Sequence, residues 1–143
     1  MQPRRCLNRP YSSGFTLLEL LVVVVIIGLL VSIVAPRYFS QLGKSEVKAA
    51  KAQISAISKA LDMYRLDTGH YPSQEVGLQA LLVAPSGEAK WQGPYLEKAI
   101  PPDPWNTPYQ YRMPGEAGDY DLISLGKDGK VGGKEDDADL SNH

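Results

Sequence analysis

The sequence predicts an α+β chain in which one long N-terminal helix packs on a small antiparallel sheet. Three observations carry that reading. From Phe15 to Pro36 the chain is apolar with a single charge, Glu19. From Tyr38 onward Val47, Ala50, Ile54, Ile57, Leu61 and Tyr64 recur at intervals of three and four, the spacing of one helix face. Farther along, Tyr109–Arg112 and Tyr120–Ser124 alternate as strands do around Pro114-Gly115-Glu116-Ala117-Gly118, which predicts a hairpin.

The apolar run comes first in the chain. A helix rising about 1.5 Å per residue makes residues 15–36 roughly 33 Å long, enough for a bilayer core of about 30 Å. Arg4, Arg5 and Arg9 precede it and no acidic residue does, so the basic flank is expected to stay cytoplasmic. An ordinary secretory signal would be cut after Ile33-Val34-Ala35, but Pro36 follows and is a poor neighbour for a scissile bond. Cys6-Leu7-Asn8 gives Arg4-Arg5 weak support as a twin-arginine signal. A plain uncut anchor explains the flank and the span. It leaves Glu19 unexplained, because a carboxylate inside a membrane helix needs a partner. Cleavage between Gly14 and Phe15 would create an α-amino group one helical turn from Glu19, near the positive end of the helix dipole.

The lysines Lys44, Lys48, Lys51 and Lys59, with Ser55 and Asp62, lie largely off the apolar stripe, so the helix is expected to continue to about Leu66. Gly69 is placed near its C-cap and Pro72 beyond. Pro36 cannot donate to the Ser32 carbonyl, and a kink or local melting is expected there. Ser73 is expected to cap a short helix over residues 75–83. Trp91, Tyr95, Leu96 and Trp105 have apolar area to bury, so the proline-rich stretch around them reads as an ordered loop rather than a linker.

Composition limits function. The 143 residues leave room for one small domain after the leader and span. Fifteen Lys and Arg against sixteen Asp and Glu give a net charge of −1, and losing the leader removes three more positive charges. No basic field for nucleic acid remains. The single cysteine, Cys6, permits neither an internal disulfide nor a cysteine zinc cluster. His70 has no cysteine or second histidine in company, and no Ser/His/Asp grouping or phosphate-binding glycine loop is present, so no enzyme is expected.

The stretch from Leu125 to Leu140 has five carboxylates between residues 128 and 139, with glycines at 129, 132 and 133. Such a set suits a hard cation that takes oxygen ligands, but it lacks the opening pattern of an EF-hand. On the residues alone a solvated acidic tail stands as the alternative.

Gly14-Phe15-Thr16-Leu17-Leu18-Glu19, after basic residues and before an apolar helix, resembles the class III signal of type IV pilins and of the pseudopilins of type II secretion. The Asp103-Pro104-Trp105-Asn106, Pro108-Tyr109-Gln110-Tyr111 and Tyr120-Asp121-Leu122 groups, with the acidic C-terminal loop, are similar to the major pseudopilins. The resemblance implies a type IV pilin-like fold with a C-terminal calcium loop. It divides the chain into a leader (1–14), a transmembrane and assembly half-helix (15–36), an amphipathic half-helix (37–68) and a periplasmic head (69–143).

It further implies cutting after Gly14 by a prepilin peptidase and N-methylation of Phe15, with Glu19 and Pro36 acting in assembly. Calcium would be held by the Leu125 carbonyl, Asp128, Glu135 and Asp136, with the Val131 carbonyl as a further ligand. Asp137 and Asp139 stand as alternatives for the acidic positions, because the sequence departs from the family pattern at Glu135 and ends Ser141-Asn142-His143 where an Asn-Trp pair is common. The implied role is a structural subunit, single-pass in the bacterial inner membrane with its head in the periplasm. It would polymerise into a helical pseudopilus that drives export of folded proteins. Minor pseudopilins, an inner-membrane platform and its ATPase would be partners. Two rivals remain: a type IV pilin forming a surface fibre, and a signal-anchored periplasmic binding domain using Trp91 and Trp105.

Overall fold

A computed structural model describes residues 14–134 and 137–143. The leader residues 1–13, with Glu135 and Asp136, lie outside the described residues. The chain divides at Phe39 into an N-terminal unit and a second compact unit, Ser40–His143.

Helix α1 runs Leu17–Thr68. Its start is written in Thr16-Leu17-Leu18-Glu19, where the Thr16 hydroxyl accepts the Glu19 amide at 3.2 Å. Threonine at the cap with glutamate three residues on is the capping-box pattern. At the other end, the Gly69 amide donates to the Arg65 carbonyl at 2.7 Å with φ +87°, a left-handed residue that ends the helix. The local melting expected at Pro36 is corrected: α1 stays helical through it. One proline removes a single donor, and the ladder on either side holds the helix across the gap.

In the N-terminal unit the large apolar side chains between Phe15 and Val34 are 47–88% exposed. Such a surface needs lipid or other helices to cover it. The helix is long and apolar enough to cross a bilayer.

The second unit has its own core. Ala50, Ile54, Ile57, Ala60, Leu61 and Tyr64 of α1 meet Ala80, Leu81, Tyr109, Tyr120, Leu122 and Leu140 there. The amphipathic stripe expected from sequence is thus the buried face, while Lys44, Lys48, Lys51 and Lys59 stay exposed. Trp91, Tyr95, Leu96 and Trp105 pack against this core as expected. The Trp91 indole N–H donates to the Ala80 carbonyl at 2.8 Å, and the Tyr95 hydroxyl donates to Asp67 at 2.8 Å.

The helix expected over residues 75–83 is corrected to a short 3-10 turn, Gly77–Leu81, with Val76 rather than Ser73 at its start and no side-chain cap. Ser73 contributes its backbone carbonyl instead, accepting the Gly77 amide at 2.9 Å. Leu81 is fully buried, so tertiary packing sets this turn more than local capping does.

The sheet has three antiparallel strands in the order β1 (Gln110–Arg112), β2 (Asp121–Ser124), β3 (Leu140–Ser141). Gln110 pairs with Ile123 and Arg112 with Asp121, which is the expected hairpin. Strand β3 has no counterpart in the sequence reading. It pairs Leu140 with Ser124 and Ser141 with Ile123, so the acidic run leaves the sheet after Ser124 and returns beside it. The terminus is pinned as well. Asn142 accepts the Leu122 amide at 2.7 Å, and the His143 ring lies 2.8 Å from the buried Asp121 carboxylate. The Glu116 amide, with the His143 ring second, holds the Asp121 carboxyl below its ordinary value of 3.8.

Candidate functional site

Two regions carry the candidate residues. The first is the start of α1. Gly14 lies two residues before the Thr16 cap, and a methyl group added to it would meet nothing within 4 Å. The fold itself therefore does not demand glycine there. Phe15 is 77% exposed. Glu19 sits in the first turn of α1, where a carboxylate faces unpaired backbone amides and the positive end of the helix dipole. Thr16, which sequence reasoning passed over, fixes that turn. Its signal was legible as Thr-x-x-Glu.

The second region is the acidic loop between β2 and β3. Leu125 and Gly126 at its base are buried, whereas the Val131 side chain is 86% exposed, which leaves only its backbone to serve the loop. Asp128 accepts the Lys130 amide at 3.0 Å, and Asp139 accepts the Gly132 amide at 2.9 Å. Each of these carboxylates has a second oxygen without a partner among the described residues. A Cβ on Gly126 would lie 2.9 Å from the Ala138 carbonyl oxygen, and one on Gly133 would lie 2.1 Å from that of Asp137. The loop thus folds back on itself with peptide oxygens packed against glycines.

All the available donors are oxygens, from carboxylates and bent backbone, which is the chemistry of a hard cation. Among the described residues no three His, Cys, Asp or Glu side chains gather as a metal-holding group. Two expected ligands, Glu135 and Asp136, lie outside those residues.

Behind the loop is a buried polar group that the sequence did not single out. Asp103, 3% exposed, accepts the Trp105 and Thr107 amides at 3.1 and 2.7 Å and the Ser124 hydroxyl at 2.6 Å. The Trp105 indole N–H donates to Glu46 of α1 at 3.0 Å. Trp105 is therefore committed to the core and to α1, which argues against an aromatic binding platform. Burial pushes the hydroxyl of neighbouring Tyr109 up to about 12, with the Asp103 charge adding to the shift.

Comparison with known proteins decides the family. Residues 37–143 match the family model described as type II secretion system (T2SS), protein G. The chain belongs to the type II secretion system protein G family. Residues 9–35 match a second model, the prokaryotic N-terminal methylation motif, which covers Gly14, Phe15 and Glu19.

Protein G relatives align along most of their length. The type II secretion system core protein G of Pseudomonas aeruginosa is 48% identical over 139 residues, spanning 95% of this chain and 98% of the relative. That of Vibrio cholerae is 43% identical, spanning 91% and 90%. That of Escherichia coli K12 is 44% identical, spanning 86% and 87%. Among solved structures, the major pseudopilin from the type 2 secretion system of enterohaemorrhagic E. coli matches with a TM-score of 0.59 and 35% identity. The match covers 73% of this chain and 91% of that one. The long helix on a small antiparallel sheet is accordingly the protein G fold, and this chain is a core pseudopilin of type II secretion.

Proposed function

We propose that the chain is cut between Gly14 and Phe15, methylated at Phe15, and polymerised through its N-terminal helix into a periplasmic pseudopilus that drives folded proteins out of the cell. Residues 1–14 act as the leader, 15–36 as the membrane and assembly half of α1, 37–68 as its amphipathic half and 69–143 as the periplasmic head. The observation that carries the reading is the pairing of two unlike units. A separately cored head adjoins a helix start whose apolar residues are 47% or more exposed around one carboxylate.

In the membrane that surface is satisfied by lipid, and in a filament by neighbouring copies. Glu19 supplies the selectivity. Its charge is costly in lipid and is met by the terminal amine of its own or an adjacent copy. Pro36 leaves the Ser32 carbonyl without its usual donor, a second contact point for neighbouring helices. The role is structural rather than enzymatic. A prepilin peptidase, minor pseudopilins, an inner-membrane platform and its ATPase are the partners, and the work of assembly comes from the ATPase.

The acidic loop is proposed to hold calcium through the Leu125 carbonyl, Asp128, Glu135 and Asp136, with the Val131 carbonyl as a further ligand and Asp137 or Asp139 as alternatives. The oxygen-only donor set and the closed loop support this. Bound calcium would tie the two carboxylate-rich arms together and stiffen the return to β3.

Deletion of the gene tests the function directly. Loss of a secreted hydrolase from the medium, with surface fibres intact by electron microscopy, is expected. Lost fibres with secretion unchanged would favour the type IV pilin instead.

A further inference from the structure

We propose that an exposed lysine row on α1, formed by Lys44, Lys48, Lys51 and Lys59, is the docking surface for the acidic head of a second copy of this chain. The proposal rests on the polymerisation reading and adds to it the surface and the charge that set how neighbouring heads meet.

The row is continuous along the helix. At 3.6 residues per turn the four lysines and Ser55 fall within a strip about 80° wide, turned away from Ile54, Ile57, Ala60, Leu61 and Tyr64. All five residues of the strip are exposed. From Lys44 to Lys59 it is about 22 Å long, at about 1.5 Å per residue. Lys44 with Lys48, and Lys48 with Lys51, are like charges one turn apart, an arrangement that destabilises a helix unless anions meet it. The ion pairs among the described residues are Arg65–Asp119, His70–Glu88, Arg112–Glu116 and His143–Asp121, and no lysine of the row takes part in one. Asp62, one turn beyond Lys59, is the nearest acid along the strip, and its carboxylate accepts the Tyr71 hydroxyl at 2.9 Å.

The opposite charge sits in the head. Residues 37–68 hold six Lys and Arg against three Asp and Glu, whereas residues 69–143 hold six against twelve. Glu75, Glu97 and Asp128 are exposed there and belong to none of the ion pairs. A copy's own head packs on the other face of α1, through the core, so its carboxylates do not cover its own row. The head of a second copy brings the matching charge. At physiological salt the Debye length is about 8 Å, so a row this long is not neutralised by one anion and needs acidic groups spaced along it, as a protein surface offers. Exposed ion pairs hold weakly, yet like charges brought face to face repel. The row therefore sets register more than affinity. It disfavours packing of two lysine rows against each other and favours the arrangement in which a neighbour's head lies on the row.

The test places the photo-crosslinker p-benzoylphenylalanine at Ser55, in the middle of the row, and separately at Val31 in the apolar half of α1, with the full chain in bacterial membranes. Mass spectrometry maps each adduct. From Ser55 the expected adduct is on residues 69–143 of a second copy. Lys48→Glu with Lys51→Glu is expected to lower it about tenfold, and Lys48→Arg with Lys51→Arg to preserve it. The Val31 adduct to a second copy should persist in both. A Ser55 adduct on lipid, on a different protein or on α1 of the second copy overturns the proposal, as does an adduct on the head that charge reversal leaves unchanged. If Val31 gives no adduct between copies, the polymerisation reading falls and takes this inference with it. If Val31 joins copies and Ser55 does not, the inference falls alone.

Discussion

Replacing Gly133 by alanine puts a methyl group 2.1 Å from the Asp137 carbonyl oxygen, against 3.4 Å or more for an ordinary contact. Backbone cannot rotate away as a side chain tip can, so the loop must open by more than an ångström. Gly133 also has φ +109°, where an L-residue is strained. Gly132 next to it supplies an internal control. It has φ +93°, but a methyl group there would meet nothing within 4 Å.

Both substitutions thus cost backbone strain of about 1–3 kcal/mol, and Gly133→Ala alone adds overpacking of about 1–3 kcal/mol more. At about 1.4 kcal/mol per tenfold, Gly132→Ala should weaken calcium roughly 5- to 150-fold, and Gly133→Ala by a further factor of similar size. Neither glycine belongs to the core cluster, so without calcium the loop can relieve the strain by opening, and the melting temperature should fall less without calcium than with it. Calorimetric titration of the full chain in detergent, with melting curves at zero and millimolar calcium, reads both effects. Equal calcium affinity in wild type and both variants would refute the reasoning, because a loop that need not close around the ion would tolerate either methyl group.

Other outcomes follow from the same geometry. Glu19→Ala should be processed and inserted normally but fail to assemble, as read by crosslinking and sedimentation of membrane extracts; efficient filament formation would count against the role given to this carboxylate. Asp121→Asn should lower the melting temperature at neutral pH. Because the folded-state pKa of Asp121 lies below 3.8, its contribution is present above that value and is lost as pH falls through the depressed folded pKa, so the two melting curves should converge in strong acid. A gap that persists unchanged to low pH would exclude the carboxylate as its source. Tyr109, raised to about 12 by burial, should keep its proton in ultraviolet titration after exposed tyrosines have ionised. Its contribution to stability is present below 10 and is lost as pH rises through 12.

The helix was legible because periodicity is a strong signal over many turns. Every stripe residue from Val47 to Tyr64 is buried or packed on the core, and Gly69 ends the helix as its backbone freedom predicts. The hairpin was legible from alternation around a turn-rich segment. The missed features depend on contacts that are far apart in sequence. Strand β3 is two residues long, too short for any pattern, and exists because Leu140 finds the core beside Ser124. The 75–83 segment carries helix-forming residues, but burial of Ala80 and Leu81 shapes it as a 3-10 turn.

Asp103 was visible only as part of a motif, since its partner Ser124 lies 21 residues away. Of the candidate site, the processing segment was readable as a local pattern. The loop's closure on itself was not, because it rests on Gly126 and Gly133 meeting carbonyls of residues 137 and 138.

The central claim is that Glu19 makes physical sense in this helix only when Gly14-Phe15 is cut and many copies meet. Intact-mass measurement of the protein extracted from membranes tests it most directly. The predicted result is a chain beginning at Phe15 and carrying one added methyl group. A mass corresponding to the uncut chain, in cells that secrete normally, would contradict it.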